Sequence, residues 1–119
     1  MALPAPLADP RIRVVLVDAD DRVRESLAGI LATTGRLEVL GTAGDVRAGL
    51  ALVAASRPDV VVLDPRLPDI DAAVAFMAAV RATQPGVCIV AMSWSDPMEQ
   101  TALAAGADAF VRKTYRSSE

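Results

Sequence analysis

A chain of 119 residues holds about one ordinary domain, and with 53% apolar and 23% charged residues it can fill a single core without disulfides. One cysteine, Cys88, and no histidine exclude a disulfide framework, Cys- or His-based zinc sites, Ser-His-Asp hydrolysis and a histidine phosphate carrier. The net charge of −3 argues against direct nucleic-acid binding, and no apolar run reaches the length of a membrane span.

Residues 1–10 lack the charged start and long apolar stretch of a secretion signal, so they read as a flexible arm before a domain at 11–119, and the cytoplasm is the expected location. Val14-Val15-Leu16-Val17 then reads as a strand ending at Asp18. Asp20 or Asp21 can cap a helix whose inward face is Val23, Leu27, Ile30 and Leu31. A second strand is expected over Leu37–Leu40, and a second helix, capped by Asp45, turns Val46, Leu50 and Val53 inward and stops at Arg57-Pro58. Val60–Leu63 is the third strand and ends at Asp64. Asp71 is the expected opening of a third helix through Phe76, Met77 and Val80, which stops near Pro85-Gly86. The fourth strand, Val87–Ala91, carries Cys88 as a core residue and runs on to Ser93. Asp96-Pro97 is the expected cap of a fourth helix closed by Ala105-Gly106. Ala109–Val111 is a fifth strand, running into Arg112 and Lys113. The first, third and fourth runs are nearly continuous, as in parallel strands buried on both faces.

Strands alternating with helices imply right-handed βαβ units and a doubly wound parallel five-stranded α/β sheet. Only Thr114–Glu119 follow the fifth strand, so a fifth helix is expected to be missing or truncated: either the chain ends early or it is the front part of a longer protein. Apolar surface at Leu27, Leu31 and Val111 is then left partly uncovered, and a homodimer or another partner is expected on that face.

Ligands of such sheets bind beyond the carboxyl ends of the strands. There the sequence gathers Asp18, Asp20, Asp64, Ser93 and Lys113, the last being the only lysine beside eleven arginines. No glycine-rich phosphate loop is present. Clustered carboxylates suit a hard divalent cation, a carboxylate can attack phosphorus, and an amine and a hydroxyl can meet the charge that develops. Val15–Asp20 also mimics the strand and DxD of haloacid-dehalogenase-type phosphatases. That family needs a longer chain, and turnover of a phosphomonoester would be its signature.

Val14–Asp18, Pro58–Asp64, Leu67-Pro68, Val90–Ser93 and Ala105–Phe110 leading to Lys113, in this order and spacing, resemble the receiver domain of bacterial two-component response regulators, a flavodoxin-like fold. The stretch Leu37–Asp45 further resembles receivers that precede a helix-turn-helix DNA-binding domain. The resemblance implies that Asp64 is the phosphoacceptor. Asp18 would belong to a Mg²⁺ site, with Arg66 giving a backbone carbonyl and Asp20 a compensating ligand. Ser93 and Lys113 would attend the phosphoryl group, and Phe110 would be a switch residue that changes rotamer. It also implies a histidine kinase or phosphotransfer partner, a C-terminal DNA-binding domain in a longer form, and no enzyme activity beyond the domain's own phosphorylation and dephosphorylation.

Departures from the family pattern gather at one pocket. Ala19 stands where a second acid is usual, and Pro65 removes an N–H beside the acceptor. Trp94 replaces a small residue, Asp69 and Ala72 replace glycines, and Thr114 replaces a proline. The competing expectation is therefore a phosphorylation-independent binding module, in which Arg66 and Lys113 neutralise Asp18 and Asp64 without metal. Millimolar Mg²⁺ affinity, or none, separates the two.

Overall fold

The computed structural model describes residues 11–94 and 98–113. Strands β1 (Ile12–Val17), β2 (Leu37–Ala43), β3 (Val60–Leu63), β4 (Cys88–Ser93) and β5 (Ala109–Arg112) alternate with helices α1 (Asp21–Ala32), α2 (Val46–Ser56), α3 (Ile70–Thr83) and α4 (Met98–Ala105). All strand pairs are parallel, in the order β2-β1-β3-β4-β5. This is the expected flavodoxin-like, doubly wound sheet, with the switch in strand order between β1 and β3. The second strand runs three residues further than expected, to Ala43, because its pairing with β1 resumes beyond an irregularity at Val14/Val15.

Successive residues of a strand face opposite sides, and parallel partners share a side. One side carries Val15, Val17, Val61, Leu63, Ile89 and Ala91, all at most 1% exposed, packed with Val53, Phe76, Met77 and Val80 from α2 and α3. Gly49 is what lets α2 lie so close: a Cβ there would come within 3.0 Å of Val17 and 3.3 Å of Phe76.

The other side is only half covered. Helix α1 packs on β1 and β2 and buries Val14 and Leu16. In register beside them, Val60, Val62, Cys88, Val90 and Met92 are half-buried, and Val111 is 44% exposed. Burial on both faces therefore holds for β1 and fails for β3 and β4, whose residues alternate between buried and half-buried. Among the described residues, no helix lies over that part of the sheet. Cys88, expected in the core, is half-buried on this open side.

Two further expectations are corrected. Ile30 does not face inward: it is 62% exposed, and α1 has no buried residue, because it packs mainly on the edge strand β2 and its neighbour β1. Helix α3 starts one residue before Asp71 and is capped by Asp69, whose Oδ1 accepts from the Ala72 N–H at 2.9 Å. The two positions where glycines are usual thus supply the acceptor and donor of one cap, and Asp71 becomes an exposed first-turn acid. Asp20 caps α1 and Asp45 caps α2, as expected, and Arg57 ends α2 in the left-handed region at φ 49°. Gly106, at φ 127°, closes α4. The expected Asp96-Pro97 cap and the arm at 1–10 lie outside the described residues.

Two arginines pin the amino-end edge of the sheet. Arg13 of β1 donates to the carbonyls of Arg57 (2.8 Å) and Ser56 (2.7 Å), orphan acceptors at the end of α2. Arg81 of α3 donates to the carbonyls of Val87 and Gly106 and pairs with Asp108 at 2.6 Å. That pairing and the Ile89 N–H hold the Asp108 carboxyl below its usual range.

Candidate functional site

The parallel ladder brings the ends of β1, β3, β4 and β5 to one edge. The Asp18 N–H donates to the Ala43 carbonyl, that of Asp64 to Val17, and that of Lys113 to Ser93, at 2.8–3.1 Å. Each candidate side chain is therefore fixed at its root by the last bond of a strand pair, on rigid backbone rather than on a free loop. Asp18, Ser93 and Lys113 are buried, at 8%, 0% and 7% exposure, and Asp64 is half-buried.

At the centre stands Lys113. Its ammonium donates to Asp18 Oδ2 at 2.7 Å and to Asp64 Oδ2 at 3.1 Å, joining residues far apart in the chain. Two carboxylates this close repel, and one amine between them offsets that cost. The other oxygens are also engaged: Asp18 Oδ1 accepts from the Asp20 N–H and Asp64 Oδ1 from the Arg66 N–H, both at 2.9 Å. The indole ring of Trp94 adds a cation–π contact, its centroid 5.6 Å from the Lys113 nitrogen. Pro65, directly after Asp64, is fully buried. Phe110 is half-buried and packs against the main core from β5, opposite Ala91.

Asp20 is drawn away from this centre. Its Oδ1 accepts from the N–H groups of Arg22 (2.8 Å) and Val23 (3.3 Å), which is the cap of α1. Arg66 meets Asp64 through its backbone, with its side chain exposed. Lys113, and not a pair of Arg66 and Lys113, is thus the cation between Asp18 and Asp64.

Sequence reasoning missed Arg24. From the first turns of α1 it reaches back to donate to the Asp18 carbonyl at 2.6 Å and pairs with Asp21. Gly44 makes room, since a Cβ there would sit 2.9 Å from the guanidinium. The available signal was the spacing: an arginine six residues after a strand-end aspartate, one helical turn in, can fold back on that strand.

The donor set fits a magnesium ion at its lower limit. Mg²⁺ keeps several waters and takes one or two carboxylates together with phosphoryl oxygens. Asp18 and Asp64 supply two converging carboxylates, already held by hydrogen bonds that orient them. Among the described residues there is no cluster of three or more carboxylate, cysteine or histidine ligands. A bound ion would therefore displace the Lys113 ammonium at least in part.

Comparison with known proteins identifies the family of the chain. The family model described as the response regulator receiver domain matches residues 14–119. The chain is 36% identical over 110 residues to the DNA-binding transcriptional activator DevR/DosR of Mycobacterium tuberculosis, covering 91% of this chain and 50% of that protein. It is 39% identical over 95 residues to a protein-glutamate methylesterase/protein-glutamine glutaminase of Cereibacter sphaeroides, covering 80% of this chain and 26% of that one. It thus spans about half of the first relative and about a quarter of the second. The signal receiver domain of a response regulator, NarL, from Mycobacterium tuberculosis superposes with a TM-score of 0.76 at 31% identity, covering 89% of this chain and 86% of that one. This chain belongs to the receiver domain family of two-component response regulators.

Proposed function

We propose that this receiver takes a phosphoryl group onto Asp64 and signals by the rearrangement that follows. The observation that carries the reading is Lys113, shared between Asp18 and Asp64 at 2.7 and 3.1 Å in a nearly enclosed pocket. Burying an amine between two carboxylates is a costly arrangement for a fold to keep, and it suits a centre built to receive further negative charge. An Asp64 oxygen attacks the phosphorus of a phosphohistidine or small acyl phosphate. The donor's bond to phosphorus breaks as the new P–O bond forms, leaving a mixed anhydride on Asp64. Lys113 then pairs with the phosphoryl oxygens, and the Ser93 hydroxyl donates to one of them. Mg²⁺, held by Asp18, Asp64 and the Arg66 carbonyl, would neutralise charge on the transferring group.

Ser93 and Phe110 lie on adjacent strands, so a shift of the first toward the phosphoryl group frees space beside the second. The face formed by α4 and β5 would change with them. The expected partners are a histidine kinase or phosphotransfer protein in the cytoplasm. In a longer form the output would be a DNA-binding domain like that of the DevR/DosR relative. No helix among the described residues is long and apolar enough to cross a membrane. Catalysis would be limited to the domain's own phosphorylation and dephosphorylation.

A second reading rests on a specific observation: all four oxygens of Asp18 and Asp64 already have donors, and Asp20 is committed to α1. Such a pocket is stable without metal, as a phosphorylation-independent binding module would require. Intact mass after incubation with acetyl phosphate and Mg²⁺ separates the two. One phosphoryl adduct, absent in Asp64→Asn and under EDTA, supports the phosphoacceptor. An unmodified folded chain supports the binding module.

A further inference from the structure

Strand β1 delivers Asp18 to the pocket on a peptide that the sheet no longer holds. The Asp18 N–H makes the last bond of the β1–β2 ladder, to the Ala43 carbonyl at 3.0 Å. In a parallel ladder the next bond would run from the Asp45 N–H to the Asp18 carbonyl. Strand β2 ends at Ala43, however, and Asp45 is the cap of α2. The Asp18 carbonyl is met instead by the Arg24 guanidinium, at 2.6 Å. A charged donor makes a hydrogen bond about twice as strong as a neutral one.

Arg24 is itself held on three sides. Its backbone N–H donates to the Asp20 carbonyl at 3.0 Å, its guanidinium pairs with Asp21, and Gly44 leaves a slot in which a Cβ would sit 2.9 Å from the guanidinium. The side chain keeps only 19% exposure, far less than a solvated surface arginine. The consequence passes through two peptide planes. Fixing the Asp18 carbonyl fixes the peptide between Asp18 and Ala19, and that limits where the Asp20 N–H can lie. The Asp20 N–H holds Asp18 Oδ1 at 2.9 Å, which leaves Oδ2 on the Lys113 ammonium at 2.7 Å. Ala19 brings no carboxylate and that of Asp20 caps α1, so the pocket draws on Asp18 alone from this loop.

We propose that Arg24 is a positioning residue for phosphoryl transfer, splinting the Asp18 peptide from outside the pocket and so holding the Asp18 carboxylate on Lys113. The chemistry rests on Asp64 being the acceptor; the splint does not. Arg24 bonds to Asp18, Asp20 and Asp21 and not to Asp64 or Lys113, so it acts through Asp18.

The test is a double-mutant cycle in the full chain. Arg24→Met keeps the stem and removes the donors. Gly44→Ala keeps the arginine and displaces its head group, and it carries both readouts if circular dichroism shows Arg24→Met unfolded. The initial rate of adduct formation with acetyl phosphate and Mg²⁺ should fall roughly tenfold in Arg24→Met, as for residues that orient a ligand from behind. It should fall in Gly44→Ala as well. In the slower Asp18→Asn chain, adding Arg24→Met should change the rate by less than about twofold. A residue that only steadies the fold would slow both backgrounds alike, and that result overturns the inference. Trp94, the only tryptophan, supplies a readout that needs no phosphodonor, because its ring lies over the Lys113 ammonium. Arg24→Met should move Trp94 emission toward that of Lys113→Met, and should add nothing in Asp18→Asn. A parent chain that takes no phosphoryl group defeats the Asp64 reading alone. An unchanged Trp94 emission in folded Arg24→Met defeats the splint.

Discussion

Replacing Lys113 with methionine tests the centre of the site. The substitution keeps an unbranched side chain of similar length beside Trp94 and removes the charge. Each carboxylate sits about 4 Å from the ammonium centre, so each attraction is about 4 kcal/mol at an effective dielectric constant of about 20. Without the amine that both now contact, Asp18 and Asp64 repel one another, and two like charges about 5 Å apart do so by about 3 kcal/mol on the same scale. Much of this returns through water, because the two carboxylate side chains keep 11% and 17% exposure, and through the desolvation of the ammonium that is no longer required. The net loss should be about 2–4 kcal/mol, near the range for removing one partner of a buried pair. In a urea melt at pH 7 that is a fall in midpoint of roughly 1–2 M at unchanged slope. Two further measurements isolate the cause. Millimolar Mg²⁺ should restore part of the loss in Lys113→Met and stabilise the parent chain less. The double variant Asp18→Asn/Lys113→Met should recover more than half, since one of the repelling charges is gone. A Lys113→Met chain within about 0.5 kcal/mol of the parent would refute the account of Lys113 as the cation that holds the pocket together.

Gly49→Ala should gain about 1 kcal/mol of helix propensity in α2 and lose more to the 3.0 Å contact with Val17, for a net destabilisation of about 1–2 kcal/mol in chemical denaturation. Asp20→Ala should cost about 1 kcal/mol through loss of the α1 cap while leaving Mg²⁺ affinity by calorimetry unchanged; a fall in affinity would make Asp20 a ligand. The Asp108 carboxyl is held below its ordinary value of 3.8 chiefly by Arg81, so its contribution is present above that pH and lost as pH falls through the lower folded value. The stability difference between the parent and Asp108→Asn should therefore be constant from neutral pH down to about 4 and shrink below it, modestly, because the side chain is 45% exposed.

The five strands, the four helices and the gathering of Asp18, Asp64, Ser93 and Lys113 at one sheet edge were legible because they depend on local pattern. Apolar runs of four to six residues must be buried strands, helices must lie between them, and parallel pairing brings the last residue of each strand to one edge. A lone lysine among arginines at that edge marked itself. Other features depend on distances that no local pattern encodes. Whether Asp69 or Asp71 caps α3 turns on one residue of helix phase, and the Asp69–Ala72 hydrogen bond decides it. Ile30 fits the apolar spacing of α1 and is exposed all the same, since spacing says which residues share a face and not what that face meets. Arg24 over Gly44 and Lys113 over Trp94 are contacts between segments that only folding brings together. The apolar composition of β3 and β4 likewise records that both faces want cover, whereas the packing of α1 on β1 and β2 decides that, among the described residues, no helix covers one of them. Composition and periodicity state what each residue prefers to contact; which contacts are made is set by the placement of every other element.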